Sequence, residues 1–229
     1  MSMSWGGNGI FEFGSAFWHN EINYPDFYLT RPDSLTFRIL RERLSGTGIS
    51  FDPSFLSVNR IITSDSPFHK WNVVLISVES LSANFPKYFG SDQNITPVLD
   101  SLIPQGLFFT NMYASGTRTV RGLEALSLAI PPTPGQSVVR RPHNEDMGSM
   151  GSVLASQGYD VRYIYGGNSF FDNMGYFFSH NGYRVIDRRD IPDTEIHHET
   201  AWGVADEDAF AIALKTCSES YSAGHPFFN

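Results

Sequence analysis

At 229 residues, with 41% hydrophobic and 17% charged content, the chain is long enough for one large domain, or a domain with an extended arm, and too apolar for disorder. A net charge of −8 without a Lys/Arg block gives nucleic-acid binding no electrostatic support. The single cysteine, Cys217, excludes an internal disulfide and a Cys-based zinc site, and no apolar run approaches the ~20 residues of a membrane-spanning helix.

Residues 1–70 read as irregular, rich in Gly, Asn, Pro and aromatics, and Met1–Gly7 lacks the basic start of a signal peptide. One helix is expected over Ser34–Leu44, opened by Pro32-Asp33 and carrying Leu35, Phe37, Ile39 and Leu40. Pro53, Pro67 and the Ser/Asp cluster between them read as linker.

The composition changes at Trp71. Asn72 to Val78 is a β-branched apolar run without sustained alternation, the pattern of a parallel strand buried on both faces. Thr96-Pro97 opens a helix that runs to Gly106, with proline at its first position. Leu107–Tyr113 reads as a second strand and Gly122–Ala129 as a helix stopped by Pro131–Gly135. Met150–Gln157 is a helix closed by Gly158, and Tyr159–Tyr165 is a third strand. Helices follow at Phe170–His180 and Ala205–Ser218, and Gly224–Phe228 looks like the start of another strand. Strands alternating with helices imply βαβ units, hence an α/β fold with a mostly parallel sheet.

Two segments carry candidate chemistry. The first strand runs straight into Glu79, placing a carboxylate at the C-terminal edge of the sheet, where open α/β sheets bind ligands. Glu79 is open to two readings, a metal ligand or a solvated acid capping a helix. Gly116-Thr117-Arg118-Thr119-Val120-Arg121-Gly122 lies between a strand and a helix, so its hydroxyls sit at a helix N-terminus that favours anions. Arg118 and Arg121 flank Thr119, and arginine binds phosphate in bidentate fashion. Thr119 is either an N-cap or a nucleophile, and a threonine nucleophile needs a base or metal to take its proton.

Taken together these segments resemble the sulfatase-type catalytic domain of lipoteichoic acid synthases and related phosphoglycerol transferases, in the alkaline phosphatase superfamily. The family pattern NVVxIxxES is met by Asn72–Ser80, TPxLDSL by Thr96–Leu102, and F-x-N-x-Y by Phe109–Tyr113. The nucleophile turn is met by Arg118–Gly122; Pro131–Gly135, Gly158-Tyr159, Tyr165-Gly166-Gly167 and Phe171–Met174 follow in order. The resemblance covers about residues 71–228, and the order and spacing of its motifs are specific.

The resemblance implies a sandwich-like α/β catalytic domain at 71–229, incomplete at its C-terminus, preceded at 1–70 by a juxtamembrane arm and linker. It makes Glu79 and Thr119 ligands of a divalent metal, Mn²⁺ or Mg²⁺ with Zn²⁺ an alternative, and Thr119 the nucleophile that forms a phosphothreonine-type intermediate. Substrate-binding positions are Arg121, Tyr165, Asp172 and Asn173. A lipid-linked phosphoalcohol would be the donor and a cell-envelope glycan or lipid the acceptor. The domain would lie on the periplasmic or extracellular face of the cytoplasmic membrane, anchored by a transmembrane bundle not in this sequence.

The family completes its metal site with an S-N-H-x-P segment and a later Asp-His pair, neither of which this sequence has, so it is expected to be a fragment. Where Gram-positive polyglycerolphosphate synthases carry a His, a Trp and an Arg, this chain has Tyr165, Asp172 and Met174, a pattern closer to proteobacterial relatives. True sulfatases need a Cys or Ser in a C/S-x-P-S-R turn, which Thr119-Val120-Arg121 is not. A hydrolase of the same superfamily and a non-catalytic binding domain are the alternatives. His197-His198-Glu199 reads as a solvated loop or a metal cluster, Arg140-Arg141 as a solvated pair, and Cys217 as a buried or half-buried small residue.

Overall fold

The computed structural model describes residues 8–18, 23–63, 65–67 and 69–229. The chain divides between Lys70 and Trp71 into two compact units.

The first unit holds helices α1 (Gly9–Trp18), α2 (Tyr24–Phe27) and α3 (Asp33–Leu44), then the antiparallel strands β1 (Ile49–Phe51) and β2 (Arg60–Ile62). The helix expected from Ser34 is α3. The sequence reading missed α1 and the β1–β2 pair, whose strands of three residues are too short to display a period. Arg41 of α3 bonds the carbonyls of Asp52, Ser54 and Ser57 and lies over the Phe51 ring at 4.7 Å, which ties the helix to the strand pair. The presumed linker is therefore partly ordered structure. Among the described residues no helix is long and apolar enough to cross a membrane.

The second unit is α/β. After α4 (Pro97–Leu102) and α5 (Thr119–Leu128) come α6 (Met150–Ser156), β3 (Asp160–Ile164), α7 (Met174–Ser179), β4 (Arg184–Ile186), the short pair β5 (Glu199–Thr200) and β6 (Gly203–Val204), α8 (Asp206–Ser222) and β7 (Phe227–Phe228). Strand order is β4-β3-β7, all parallel, and Val73 adds a parallel bridge to Phe228 on the β7 edge.

Alternation along β3 decides which helix covers which face. Val161, Tyr163 and Tyr165 join Phe177 and Phe178 of α7, Val120 and Leu123 of α5, and the buried Val139 in one core. Ile164 turns the other way, against Ile186 and Ile212 of α8. Arg162 points to the same side, buried, and donates to Ser220 of α8 at 2.8 Å. Both faces are thus covered, as parallel sheets require. α6 starts with a reciprocal Ser149–Ser152 capping box and is closed by Gly158 at φ +83°.

Two strand expectations fail. Val73 and Leu75 bond to residues 227–229, but Val74 and Ile76 stay more than half exposed, so the run is a sheet edge and is not covered on both faces. Leu107–Tyr113 forms no strand, and Leu107 and Tyr113 are 85% and 84% exposed. A β-branched or aromatic run fits a pleated, half-buried surface only when a neighbouring strand supplies one, and none among the described residues pairs with 107–113.

Candidate active site

Glu79 follows the Val73–Leu75 edge segment at its C-terminal end, and Tyr165 and Asp187 directly follow β3 and β4. These are the carboxyl ends of parallel strands, the usual place for ligands in such sheets. The chain turns sharply after Glu79: Ser80 has φ +56°, and its hydroxyl donates back to Glu79 Oε1 at 3.1 Å.

Helix α5 begins at Thr119, three residues earlier than the sequence implied, with Arg118 at the cap in extended conformation. Its first intrahelical bonds run from the Arg121 and Gly122 amides to the Arg118 carbonyl. The amides of Thr119 and Val120 precede them and face the end of the helix. Thr119 Oγ1 donates to Glu79 Oε2 at 2.6 Å, across 40 positions of sequence, and both groups are exposed. The hydroxyl and the carboxylate therefore meet at the sheet edge.

Arg121 does not reach this point. Its Nη1 donates to Glu124 Oε1 and the Thr133 carbonyl, both at 2.9 Å, and its Nη2 to the Gly135 carbonyl. Both terminal nitrogens serve the fold, which corrects the expectation that Arg121 holds substrate. Glu124 is fully buried, and its other oxygen accepts from Ser137 Oγ at 2.7 Å and the Val138 amide at 2.6 Å. This carboxylate fastens α5 to the 133–138 loop. An Arg and a Glu at i, i+3 on one helix are the signal for this pairing in the sequence.

Tyr165 stacks on Tyr163, with ring centroids 6.4 Å apart. Burial raises its phenol pKa, and the negative charges of Asp172 and Glu79 raise it further. Asp172 and Asn173 both adopt left-handed backbone (φ +52° and +63°), and Asp172 pairs with Arg140 at 3.5 Å. Asn173 Nδ2 donates to the Val139 carbonyl at 2.9 Å, and Asn173 lines a surface cleft together with Asp172. Arg140 and Arg141 are not a solvated pair either: Arg141 donates to the Gln136 and Pro134 carbonyls and to Thr133 Oγ1.

The loop carrying Tyr165 is held from two sides. Buried Asp187 accepts from the Ser169 amide and hydroxyl and from Arg189. Burial opposes its charge, but the Arg189 and Ser169 bonds win and hold its carboxyl well below the usual range. On the other side the Val204 amide donates to the Gly166 carbonyl at 3.0 Å. Gly203, at φ +138°, passes so close that a Cβ there would stand 2.4 Å from the Gly166 oxygen. Gly203→Ala should therefore lower stability by about 1–3 kcal/mol, combining backbone strain and overpacking. Thermal unfolding checks this, and a melting temperature equal to the parent's would contradict the close approach.

The His197-His198-Glu199 segment is structural. Glu199 accepts from Arg188 through both oxygens, at 2.7 and 2.8 Å. Asp208, buried in the first turn of α8, accepts from the His197 amide at 2.9 Å and from its Nδ1 at 2.6 Å. The bond to Asp208 raises the His197 pKa, and the same bond lowers that of Asp208. The histidinium's contribution is complete below the unfolded value of about 6.5 and is lost as pH rises through the raised folded value. Melting temperature should thus fall as pH rises above about 6.5, and His197→Gln should flatten that slope. An unchanged slope in the variant would remove His197 as its source. Among the described residues no three His, Cys, Asp or Glu side chains group as a metal site. Cys217, half-buried, accepts from Asn229 Nδ2 at 3.1 Å.

The family model for sulfatases matches residues 71–228, the whole of the second unit apart from its last residue. The chain belongs to the sulfatase family. Its fold is also that of a crystal structure from Vibrio parahaemolyticus, a protein in the alkaline phosphatase superfamily. That match has 32% identity and a TM-score of 0.73, covering 87% of this chain and 48% of the other. The lipoteichoic acid synthase LtaP from Listeria monocytogenes shares the fold at 18% identity and TM-score 0.61, over 69% of this chain and 39% of LtaP. The chain thus spans about half or less of the length of these sulfatase-fold structures.

Proposed function

We propose that this sulfatase-family chain belongs to a phosphotransferase that moves a phosphoalcohol group, of the phosphoglycerol type, from a lipid donor to a cell-envelope acceptor. The observation that carries the reading is the 2.6 Å hydrogen bond from Thr119 Oγ1 to Glu79 Oε2 at the carboxyl edge of the sheet. Thr119 Oγ1 attacks phosphorus, a new P–O bond forms, and the P–O bond to the lipid alcohol breaks. The threonine proton passes by way of the Glu79 carboxylate towards the departing alkoxide. In the second step the acceptor oxygen attacks phosphorus, the bond from phosphorus to Thr119 Oγ1 breaks, and the acceptor's proton passes by way of Glu79 to Thr119 Oγ1.

The free amides at the start of α5 face the oxygens of the transferring group, where helix ends favour negative charge. Tyr165 and Asp172 line the approach. The two oxygen donors are hard ligands that fit Mn²⁺ or Mg²⁺, with Zn²⁺ as an alternative, and Glu79 and Thr119 would be two members of a larger set, since Mg²⁺ takes about six oxygens. A bound cation would lower the hydroxyl pKa and offset charge on the phosphoryl oxygens. We place the domain on the outer face of the cytoplasmic membrane, near its lipid donor, with residues 1–70 leading to the bilayer.

Full-length protein, a labelled phosphoglycerol lipid and a soluble acceptor test this together. Label should move to the acceptor, with a requirement for Mn²⁺ or Mg²⁺ that chelation removes. Label appearing only as free glycerol phosphate, whatever the acceptor concentration, would mean hydrolysis.

A further inference from the structure

Helix α1 carries an apolar face that the described residues leave uncovered, and none of its ten residues is buried. Projected at about 100° per residue, Phe13, Phe17, Ile10, Trp18 and Phe11 fall in that order within one arc of about 160°, with Gly14 among them. Gly9, Glu12, Ser15 and Ala16 make up the other side. The five large side chains are 70–85% exposed, and the Phe17 and Trp18 rings meet edge to face at 5.8 Å. A helix that packs on its own domain buries such a stripe, and α1 does not.

Area, charge and composition decide what covers this face. A ten-residue helix is about 15 Å long and about 10–12 Å across, so its face offers a footprint on the order of 200 Å². A stable protein–protein interface needs ~800 Å² per partner, so a second copy docked on α1 alone would not hold. A bilayer sets no such threshold, because partition grows with whatever apolar area enters it.

The charge is divided unevenly. Residues 71–229 carry ten Lys/Arg and 17 Asp/Glu, net −7 of the chain's −8, whereas residues 1–70 carry six and seven, net −1. Anionic headgroups would repel the second unit and leave the first nearly unopposed. Within α1 the one charge is Glu12, opposite the apolar arc. Four of the five large side chains are aromatic, the type that gathers at membrane–water boundaries, where an indole N–H reaches headgroup acceptors while its ring stays in apolar surroundings. At about half the ~30 Å of a hydrocarbon core, α1 is too short to span it and fits the plane of the interface.

We propose that α1 lies flat in the boundary between headgroups and acyl chains of a lipid bilayer, with its aromatic face inward and Glu12 towards water. The inference goes beyond the transfer reading, since it needs neither Thr119 nor Glu79, and it gives residues 1–70 a lipid contact of their own. Full-length protein in phosphatidylcholine nanodiscs with brominated acyl chains tests it through Trp18 fluorescence, taken as the difference between the parent and Trp18→Phe. Trp18 emission should fall about twofold or more relative to unbrominated lipid. Bromine near the headgroup end should quench more than bromine near the methyl end, because in-plane helices sit roughly 5–10 Å deep. The double substitution Phe13→Ser, Phe17→Ser should lose most of the quenching with the melting temperature held, and Glu12→Gln should be quenched as the parent is. The inference is overturned if Trp18 is not quenched, if the methyl-end bromine quenches more, or if the double variant is quenched like the parent. Trp18 shielded from both brominated lipid and aqueous acrylamide would overturn it too, by showing protein on this face. Unquenched Trp18 with normal group transfer removes this inference alone, whereas quenched Trp18 with normal turnover by Thr119→Ala removes the transfer chemistry alone.

Discussion

Thr119→Ala should lower group transfer by at least about a thousandfold, because the covalent step runs through the hydroxyl that the substitution removes. The fold should survive. Arg118 holds the cap position of α5, Thr119 is the first residue inside the helix, and its one side-chain bond is exposed. Losing an exposed hydrogen bond costs about 1 kcal/mol or less, a small part of a typical domain's ~5–15 kcal/mol. Thr119→Ser keeps an oxygen within reach of Glu79 and should retain partial activity. Thr117, exposed and two residues before the helix, should tolerate alanine with nearly normal turnover. Steady-state transfer rates with melting temperatures alongside separate these cases. A dead Thr117→Ala beside a live Thr119→Ala would move the nucleophile by two residues.

The largest stability loss is expected at Glu124. Glu124→Ala removes the acceptor for the Arg121 guanidinium, the Ser137 hydroxyl and the Val138 amide at a position closed to water. Breaking a buried pair leaves its partner charge uncompensated, and the expected cost is about 3–5 kcal/mol. Glu124→Gln preserves the shape and one acceptor oxygen, so it should cost less. Because Glu124 ties α5 to the 133–138 loop, activity should fall together with stability in Glu124→Ala, unlike in Thr119→Ala. Urea denaturation with activity assayed at low denaturant checks both; a loss under about 1 kcal/mol would show that the buried network repacks.

The meeting of Glu79 with Thr119 was legible because each residue sits where a local pattern changes: a β-branched run ending in an acid, and a Gly-Thr-Arg turn opening a helix. β3, α6 and α8 were legible for a similar reason, since an apolar period and a closing glycine are properties of adjacent residues. The strand expected at Leu107–Tyr113 failed because propensity describes a fit to a neighbour, and the neighbour is not in the segment itself. β4 escaped notice because three residues cannot display a period. The true employment of Arg121 and Arg140 was hidden for a third reason. Which carbonyl or carboxylate a long polar side chain meets depends on loops brought together from 12 or more residues away, such as Thr133 for Arg121 and Asp172 for Arg140. An arginine next to a nucleophile therefore looked like a substrate ligand when it was a brace for the helix that carries the nucleophile.

On the proposed reading Thr119 Oγ1 becomes covalently bonded to phosphorus. The direct measurement is mass spectrometry of peptides from full-length protein incubated with lipid donor and divalent cation, with no acceptor added. A phosphoalcohol mass on the residue-119 side chain, discharged when acceptor is supplied, is the expected result; turnover that leaves Thr119 unmodified, or an adduct on another residue, would contradict it.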